Sequence, residues 1–443
     1  MRKLVVDDFR DHISNDVFPV LQLRTENDPW LPRLESFKCG EATDVFIPFI
    51  PLLLSPKTTK IKIDFDSDIP IVVVASTIPR FPKLCPDLKR ITINDLPRDP
   101  AITEAVSEML LACNRDTLQK FNVDSPLTED AREVVYRLPR LSNLWTVIQG
   151  PTSLPTVTLP NLTSIDVEYD DDLNWLQGFR GAVLGELDSV SFHSESDHIG
   201  DFIGAFENVA LTTSAKDTLS EFRFYTSSSW NPNYSSLLSF NQLKEVEIEF
   251  SCAAGCSSKL DDDIIMSIAQ AMPNLETLQL GDPPCDTPAG ITVNGLIGLA
   301  RFCPRLSKLC IHFQAATLVE VVASVTAQFP SDSKPVIRRE DCALTDLEVG
   351  MIPIPARSGL VIAHILLQIF PRILNVKYIW RADGGWKAVS ETINDFRRIG
   401  NFVHHTGKAH PVRTQRSRLK CIQETHSMSA PLGVTRDDRS LYH

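Results

Sequence analysis

Three stretches carry residue types that could do chemistry. Cys252 and Cys256 could be half of a thiolate metal site. A tetrahedral zinc needs four ligands, and no second pair stands at a suitable distance, so the stretch reads as a loop. Asp261, Asp262 and Asp263 could hold a hard cation through their oxygens. The apolar positions Ile264, Ile265, Ile268 and Met272 follow them at helical spacing, and carboxylates at a helix start complement its dipole. His404, His405 and His410 could recruit a metal, but they stand in a polar stretch and read as solvated. The sequence has no H-E-x-x-H, no G-x-S-x-G, no G-x-x-x-x-G-K and no dinucleotide glycine pattern. No catalytic residue, cofactor or metal is expected, and the chain reads as a non-enzyme.

What remains is a set of charged side chains at regular places, and repeats place them. The stretch Met272-Pro273-Asn274-Leu275-Glu276-Thr277-Leu278-Gln279-Leu280 reads apolar, Pro, x, Leu, x, x, Leu, x, Leu. The phrase recurs from Leu31, Cys85, Leu159 and Cys303; Leu243 to Ile248 and Leu344 to Val349 keep its frame without the proline. By the first position of Leu-x-x-Leu-x-Leu, the phrases stand at Leu34, Leu88, Leu118, Leu141, Leu162, Leu187, Leu219, Leu243, Leu275, Leu306, Leu344 and Ile373, with Thr58 in a degenerate copy. Successive strand residues point to opposite faces, so the leucines of Leu-x-Leu go inward and their neighbours outward. Proline suits the bend into the strand, because it fixes φ and offers no N–H to a ladder. One unit cannot bury its apolar face alone; stacked units build a continuous core and a parallel sheet. From Leu162 to Leu306 the markers stand about 24 to 32 residues apart, at or slightly above the leucine-rich range.

The connections read as helices. Asp99-Pro100 supplies an N-cap and a first-turn proline before Ile102, Val106, Met109 and Leu110. The Asp triplet opens a second helix, and Ser358 opens a third. Strand, turn and helix in alternation predict an α/β leucine-rich-repeat solenoid, a horseshoe with a concave parallel sheet and convex helices. The repeats cover residues 31–400. Residues 1–30 form a short N-terminal segment with a helix over Asp8 to Leu23. A helix from Trp386 to Ile399 caps the open end, with Trp386, Val389, Ile393 and Phe396 inward. Residues 401–443 form a basic, disordered tail.

At 443 residues and a net charge of -12, the chain is long enough for such an array and too acidic for nucleic acid or an anionic membrane surface to be its main partner. No signal peptide opens the chain and no apolar run is long enough to span a membrane, which points to the cytoplasm or nucleus. Several of the ten cysteines fall at repeat positions, Cys39, Cys85, Cys303 and Cys310 among them, and read as reduced, buried thiols.

The outward strand positions carry a charge gradient. Lys38, Lys60, Lys62, Arg90 and Lys120 come first. Asp166 and Glu168 follow, then Glu221 beside Arg223, then Glu245, Glu247 and Glu249. Thr277, Gln279, Lys308, His312, Asp346 and Glu348 are mixed. Like charges on one strand and its neighbours repel. The seven residues Asp166, Glu168, Glu221, Arg223, Glu245, Glu247 and Glu249 are therefore the candidate site, expected to receive a basic segment of a target protein.

The cysteine- and proline-marked repeats, their uneven lengths, and the runs Leu347 to Pro355 and Ile369 to Ile373 resemble fungal F-box proteins with leucine-rich repeats, over residues 31–400. The resemblance implies that the array holds a substrate protein for a cullin–RING (SCF) ubiquitin ligase, whose adaptor docks on an F-box. Asp8 to Leu23 lack the F-box pattern of a Leu-Pro and an acidic residue opening a helical module. The adaptor is thus expected as a partner only if an F-box lies ahead of Met1. The alternative is a regulator on the same scaffold, such as a GTPase-activating protein or an enzyme inhibitor; uneven repeats and a basic tail count against the activating type.

Overall fold

The computed structural model describes residues 1–6, 29–66, 68–149, 157–169, 176, 178–180, 182–194, 202–210, 215–227, 232–250, 260–281, 290–313, 342–349, 354, 358–378 and 384–405. The strands are β1 (Lys3–Val6), β2 (Ser36–Ala42), β3 (Lys60–Phe65), β4 (Arg90–Asn94), β5 (Lys120–Pro126), β6 (Asn143–Ile148), β7 (Thr158–Leu159), β8 (Ser164–Tyr169), β9 (Val183–Leu184), β10 (Ser189–Ser194), β11 (Glu221–Thr226), β12 (Glu245–Phe250), β13 (Thr277–Leu280), β14 (Lys308–Ile311), β15 (Asp346–Val349) and β16 (Asn375–Tyr378). Fourteen of them form one sheet in chain order, from β1 to β16; β7 and β9 pair apart as a small ribbon. Neighbouring strands of the long sheet run parallel. Parallel neighbours need a crossover between them. Longer helices supply it at Pro100–Ala112, Phe202–Ala210, Asp262–Ala271, Val293–Phe302 and Gly359–Ile369. The fold is α/β with a long parallel sheet, as the repeats predict.

The local reason lies in the apolar-Pro-x-Leu phrase, which does three jobs. It stops the helix: Cys85, Met272, Cys303 and Phe370 are C-caps with ψ of 74°, 67°, 74° and 81°, and each precedes a proline. The residue before proline is pushed out of the α region by contact with the ring. It then makes a β-turn with proline at the second place, where its fixed φ is wanted. The N–H of Leu88 donates to Cys85 O at 3.3 Å, Leu275 to Met272 O at 3.2 Å, Leu306 to Cys303 O at 3.2 Å and Ile373 to Phe370 O at 3.2 Å. Lastly it drops the marker residue into the core. The markers from Leu34 to Ile373 are 0–3% exposed. Phe240-Asn241-Gln242-Leu243 closes the same turn at 3.4 Å without proline.

The next residues stitch unit to unit. The N–H of Thr59 donates to Glu35 O, Lys89 to Thr59 O, Gln119 to Lys89 O, Ser142 to Gln119 O and Thr163 to Ser142 O. The chain continues through Asp188, Ser220, Lys244, Glu276, Ser307 and Thr345 to Leu374, with every link at 2.7–3.0 Å. Hydroxyls reinforce it: Ser142 Oγ donates to Gln119 O at 3.0 Å and Ser307 Oγ to Glu276 O at 3.0 Å. The degenerate phrase at Thr58 is polar but satisfied. Thr58 Oγ1 and Ser55 Oγ both donate to Leu34 O at 3.0 Å, so the buried hydroxyls carry no unmet bond.

Helix starts follow their caps. Asp99 accepts from Ala101 N at 2.8 Å and Asp261 from Ile264 N at 2.9 Å. Ser358 makes no side-chain cap bond, although a helix starts after it. Inward strand residues meet the helices in one core; Phe192 lies edge-on to Phe202 at 4.8 Å and to Phe206 at 5.3 Å. The described cysteines, Cys39, Cys85, Cys113, Cys303, Cys310 and Cys342, are free and buried. Burial pushes the Cys85 thiol up to about 12, so it packs as a neutral group.

The two ends of the described chain hold a strand and a long helix. Lys3–Val6 pairs in parallel with β2, so the N-terminal segment contributes the first strand. The helix expected over Asp8 to Leu23 lies outside the described residues. A division between two units comes after Ser390. It falls inside the helix Gly384–His405, which covers the expected capping helix. Trp386 and Val389 are buried, Trp386 edge-on to Phe313 at 5.9 Å. Ile393 is buried, but Phe396, expected inward, is 40% exposed. The tail from Thr406 lies outside the described residues. No helix among the described residues is long and apolar enough to cross a membrane.

Two substitutions in one phrase separate its jobs. Leu278 is 0% exposed. Leu278→Asp buries an unpaired carboxylate and costs more than about 3 kcal/mol, seen as a collapse of the thermal midpoint or insoluble protein. Pro273→Ala loses only the pre-set φ and costs about 0.4–1 kcal/mol. A midpoint for Leu278→Asp equal to that of Pro273→Ala would show that the inward row is not core.

Candidate functional site

Register turns the outward strand positions into rows. The first row passes through Lys60, Arg90, Lys120, Asn143, Ser164, Ser189, Glu221, Glu245, Thr277, Lys308, Asp346 and Asn375, each paired directly with the next. The next outward row holds Lys38, Lys62, Thr92, Asn122, Trp145, Asp166, Ser191, Arg223, Glu247, Gln279, Cys310 and Glu348. A third row, on the longer central strands, holds Glu168, His193, Tyr225 and Glu249. Adjacent strands lie ~4.8 Å apart, so each row is a ladder of side chains at fixed spacing.

The seven candidate residues come together on β8, β11 and β12. Arg223 sits at their centre. Its Nη2 lies 3.0 Å from Glu245 and 3.3 Å from Glu221, and its Nε lies 3.5 Å from Glu247. Burial disfavours its charge, but the hydrogen bond it donates to Glu245 and the charges of Glu245, Glu221 and Glu247 outweigh this and hold its pKa above the usual value. Glu247 also accepts from Tyr225 Oη at 2.7 Å and faces Lys308 Nζ at 3.6 Å. Burial, then that bond to Glu247, pushes the Tyr225 phenol upward, so it stays a donor. Gln279 donates to Glu249, Ser189 Oγ donates to Glu221 at 3.1 Å, and Arg98 pairs with Glu168. His193 Nε2 is 3.3 Å from Asp166, and its ring stacks on Tyr225 at 4.8 Å.

This arrangement corrects one premise of the sequence reading. The sequence sets the glutamates of one strand and its neighbours against one another, with their repulsion left for a target to relieve. Instead Arg223, Tyr225, Lys308 and Gln279 tie them across strands, because alternation puts Arg223 on the same face as the acids of the next strand. The acidic character remains: Asp166, Glu168, Glu221, Glu245, Glu247 and Glu249 face Arg98, Arg223 and Lys308, three cations against six carboxylates. A second correction concerns the C-terminal strands. Gln279 is 8% exposed and His312 6%, so neither offers a surface to a partner.

The sequence reading passed over Trp145. It stands between Asn122 and Asp166 in the second outward row and is half-buried. The signal was present: Trp145 is the x of Leu144-x-Thr146, the outward place of its phrase. Aromatic and arginine side chains are the types most often found where binding energy concentrates.

Of the other candidates, Asp262 is committed to structure. It accepts from Thr292 N at 2.7 Å, Thr292 Oγ1 at 2.5 Å and Gly295 N at 3.0 Å, so it fastens the start of the next helix. Cys252, Cys256 and His410 lie outside the described residues. Among the described residues no group of three or more side chains is placed to hold a metal ion.

Arg223→Leu should lower the thermal midpoint on the order of 2 °C in low salt and less in 1 M salt, because Glu221, Glu245 and Glu247 then face one another. Adding Glu245→Gln and Glu247→Gln should restore most of the loss. If the triple variant is less stable than Arg223→Leu, repulsion is not what Arg223 relieves.

The chain matches no protein-family model and no curated protein.

Proposed function

We propose that the protein is a polypeptide-recognition module of the leucine-rich-repeat type, which holds a target across the outward face of its sheet. One observation carries this reading: Trp145, Arg223, the His193–Tyr225 stack and the carboxylates around them share one face at fixed register. A rigid backbone thus presents aromatic anchors among charges, the composition of a binding surface. The buried markers and proline turns support the finer architecture, a horseshoe with this face concave. The excess of carboxylates on β8, β11 and β12 suits a basic segment of the target. Charge complementarity of that kind chiefly raises the association rate.

The resemblance to F-box proteins extends the proposal. The target would be a substrate delivered to a cullin–RING ubiquitin ligase, with the adaptor held by an F-box module that the described residues do not supply. Capture of bound proteins by the full chain and by Trp145→Ala tests the first level. The target should be lost from Trp145→Ala, whose truncation at an anchor costs about 2 kcal/mol of affinity. Asp166→Asn with Glu249→Gln should slow association and flatten its salt dependence. Identical captures by both chains would remove the face as the binding site. For the ligase level, deleting the gene should make the captured target accumulate and lose ubiquitin. A target whose turnover is unchanged overturns that role without touching recognition itself.

A further inference from the structure

The first strands of the same face carry a different surface. Lys60, Arg90 and Lys120 are direct register partners on β3, β4 and β5, and Lys38 pairs with Lys62 in the next row. Ser36, Thr92 and Asn122 fill the remaining places of these two rows on β2 to β5, so the rows hold five cations and no carboxylate. Lys62 reaches Asp64 at 3.6 Å, in the third row, where Asp124 also lies. Lys60, Arg90 and Lys120 have no ion-pair partner among the described residues. Lys60 and Arg90 are exposed and Lys120 is half-buried.

Three like charges ~4.8 Å apart repel one another. Burial, then Arg90 and Lys62, holds the Lys120 pKa below the usual lysine value. A lysine whose pKa falls on folding is penalised while charged, so at neutral pH it costs stability. The three cations stay together on neighbouring strands although the protein carries a net charge of -12.

We infer that the basic rows of β2 to β5 form a docking site for a short acidic polypeptide segment, whose carboxylates lie across Lys60, Arg90 and Lys120. Dimension decides between a peptide and a longer polyanion. The patch spans four strands, roughly 15 Å. Beyond β6 the face turns acidic at Asp166 and Glu168, which would repel a nucleic acid strand that ran on along the sheet. From β4 to β11, five strand steps in the sheet order, the basic and acidic centres stand roughly 24 Å apart along the face. The partner is then a polypeptide with an acidic stretch and a basic stretch separated by about that length. This inference rests on the reading of the face as a recognition surface, yet its test needs no target.

The probe is a fluorescein-labelled peptide of alternating Asp and Glu, about eight residues long and therefore able to cover the patch, titrated against the full chain at several salt concentrations. The expected result is saturable binding that weakens as salt rises. Lys60→Glu with Arg90→Glu should weaken it at least tenfold. Lys57→Glu with Lys83→Glu, which changes net charge equally at exposed sites off this face, should leave it near parental. Lys120→Met should raise the thermal midpoint and still weaken the peptide, a combination that a purely structural lysine does not give. Equal loss in both double variants reduces the effect to net charge and overturns the site. A 20-nucleotide single strand that binds more tightly than the peptide and is lost with Lys60→Glu/Arg90→Glu would assign the patch to nucleic acid instead. Concentration-dependent self-association abolished by the same pair would assign it to a second copy of the chain. None of these failures alters the capture test with Trp145→Ala.

Discussion

The structure depends on a hydrogen-bond chain that belongs to no helix. One backbone N–H per unit, just before each strand, donates to the matching carbonyl of the unit before, from Thr59 through to Leu374. These bonds fix where each strand begins relative to the last. Because side-chain direction alternates along a strand, a slip of one residue would turn the inward row outward. The chain of bends therefore guards both the core and the face. Proline contributes from one step earlier: it ends the helix at Cys85, Met272, Cys303 and Phe370 and delivers the chain to the bend in the correct frame.

The face follows from that frame with no further design. Once Leu278 and Leu280 are inward, Thr277 must be outward, and its row position is set by Glu245 on one side and Lys308 on the other. Charges distant in sequence become neighbours. Arg223 and Glu247 meet because they hold the same place in successive units. The resulting network is rigid in its backbone and charged at its tips, the condition under which a partner can be met without large rearrangement.

Much of this was legible in the sequence, and the exceptions have physical causes. The phrases located the strands of the long sheet from β2 onward because the marker leucine, the turn and the inward pair are all short-range signals. β1 was missed because Lys3–Val6 has no turn phrase in front of it and pairs only through β2. The ribbon of Thr158–Leu159 and Val183–Leu184 is too short for a period to show. On the site, alternation placed all seven candidates on the outward face. It did not show that Arg223 pairs with Glu245 and Glu247, since that requires register between strands more than twenty residues apart. Nor did it show that Gln279 and His312 are covered, because burial of an outward residue comes from tertiary packing and leaves no trace in a local pattern.

The order of the long sheet has a consequence for how such a protein changes over time. Strands follow chain order, so each further strand of the long sheet adds one step of ~4.8 Å beside the strand before it. Losing or duplicating one strand with its connection between β4 and β12 would keep the parallel order of the sheet. It would move the basic rows nearer to or farther from the acidic ones by one step. The sheet is thus a ruler graduated in strands, and a change of partner can be made by altering the count of graduations while each side chain that grips stays as it is.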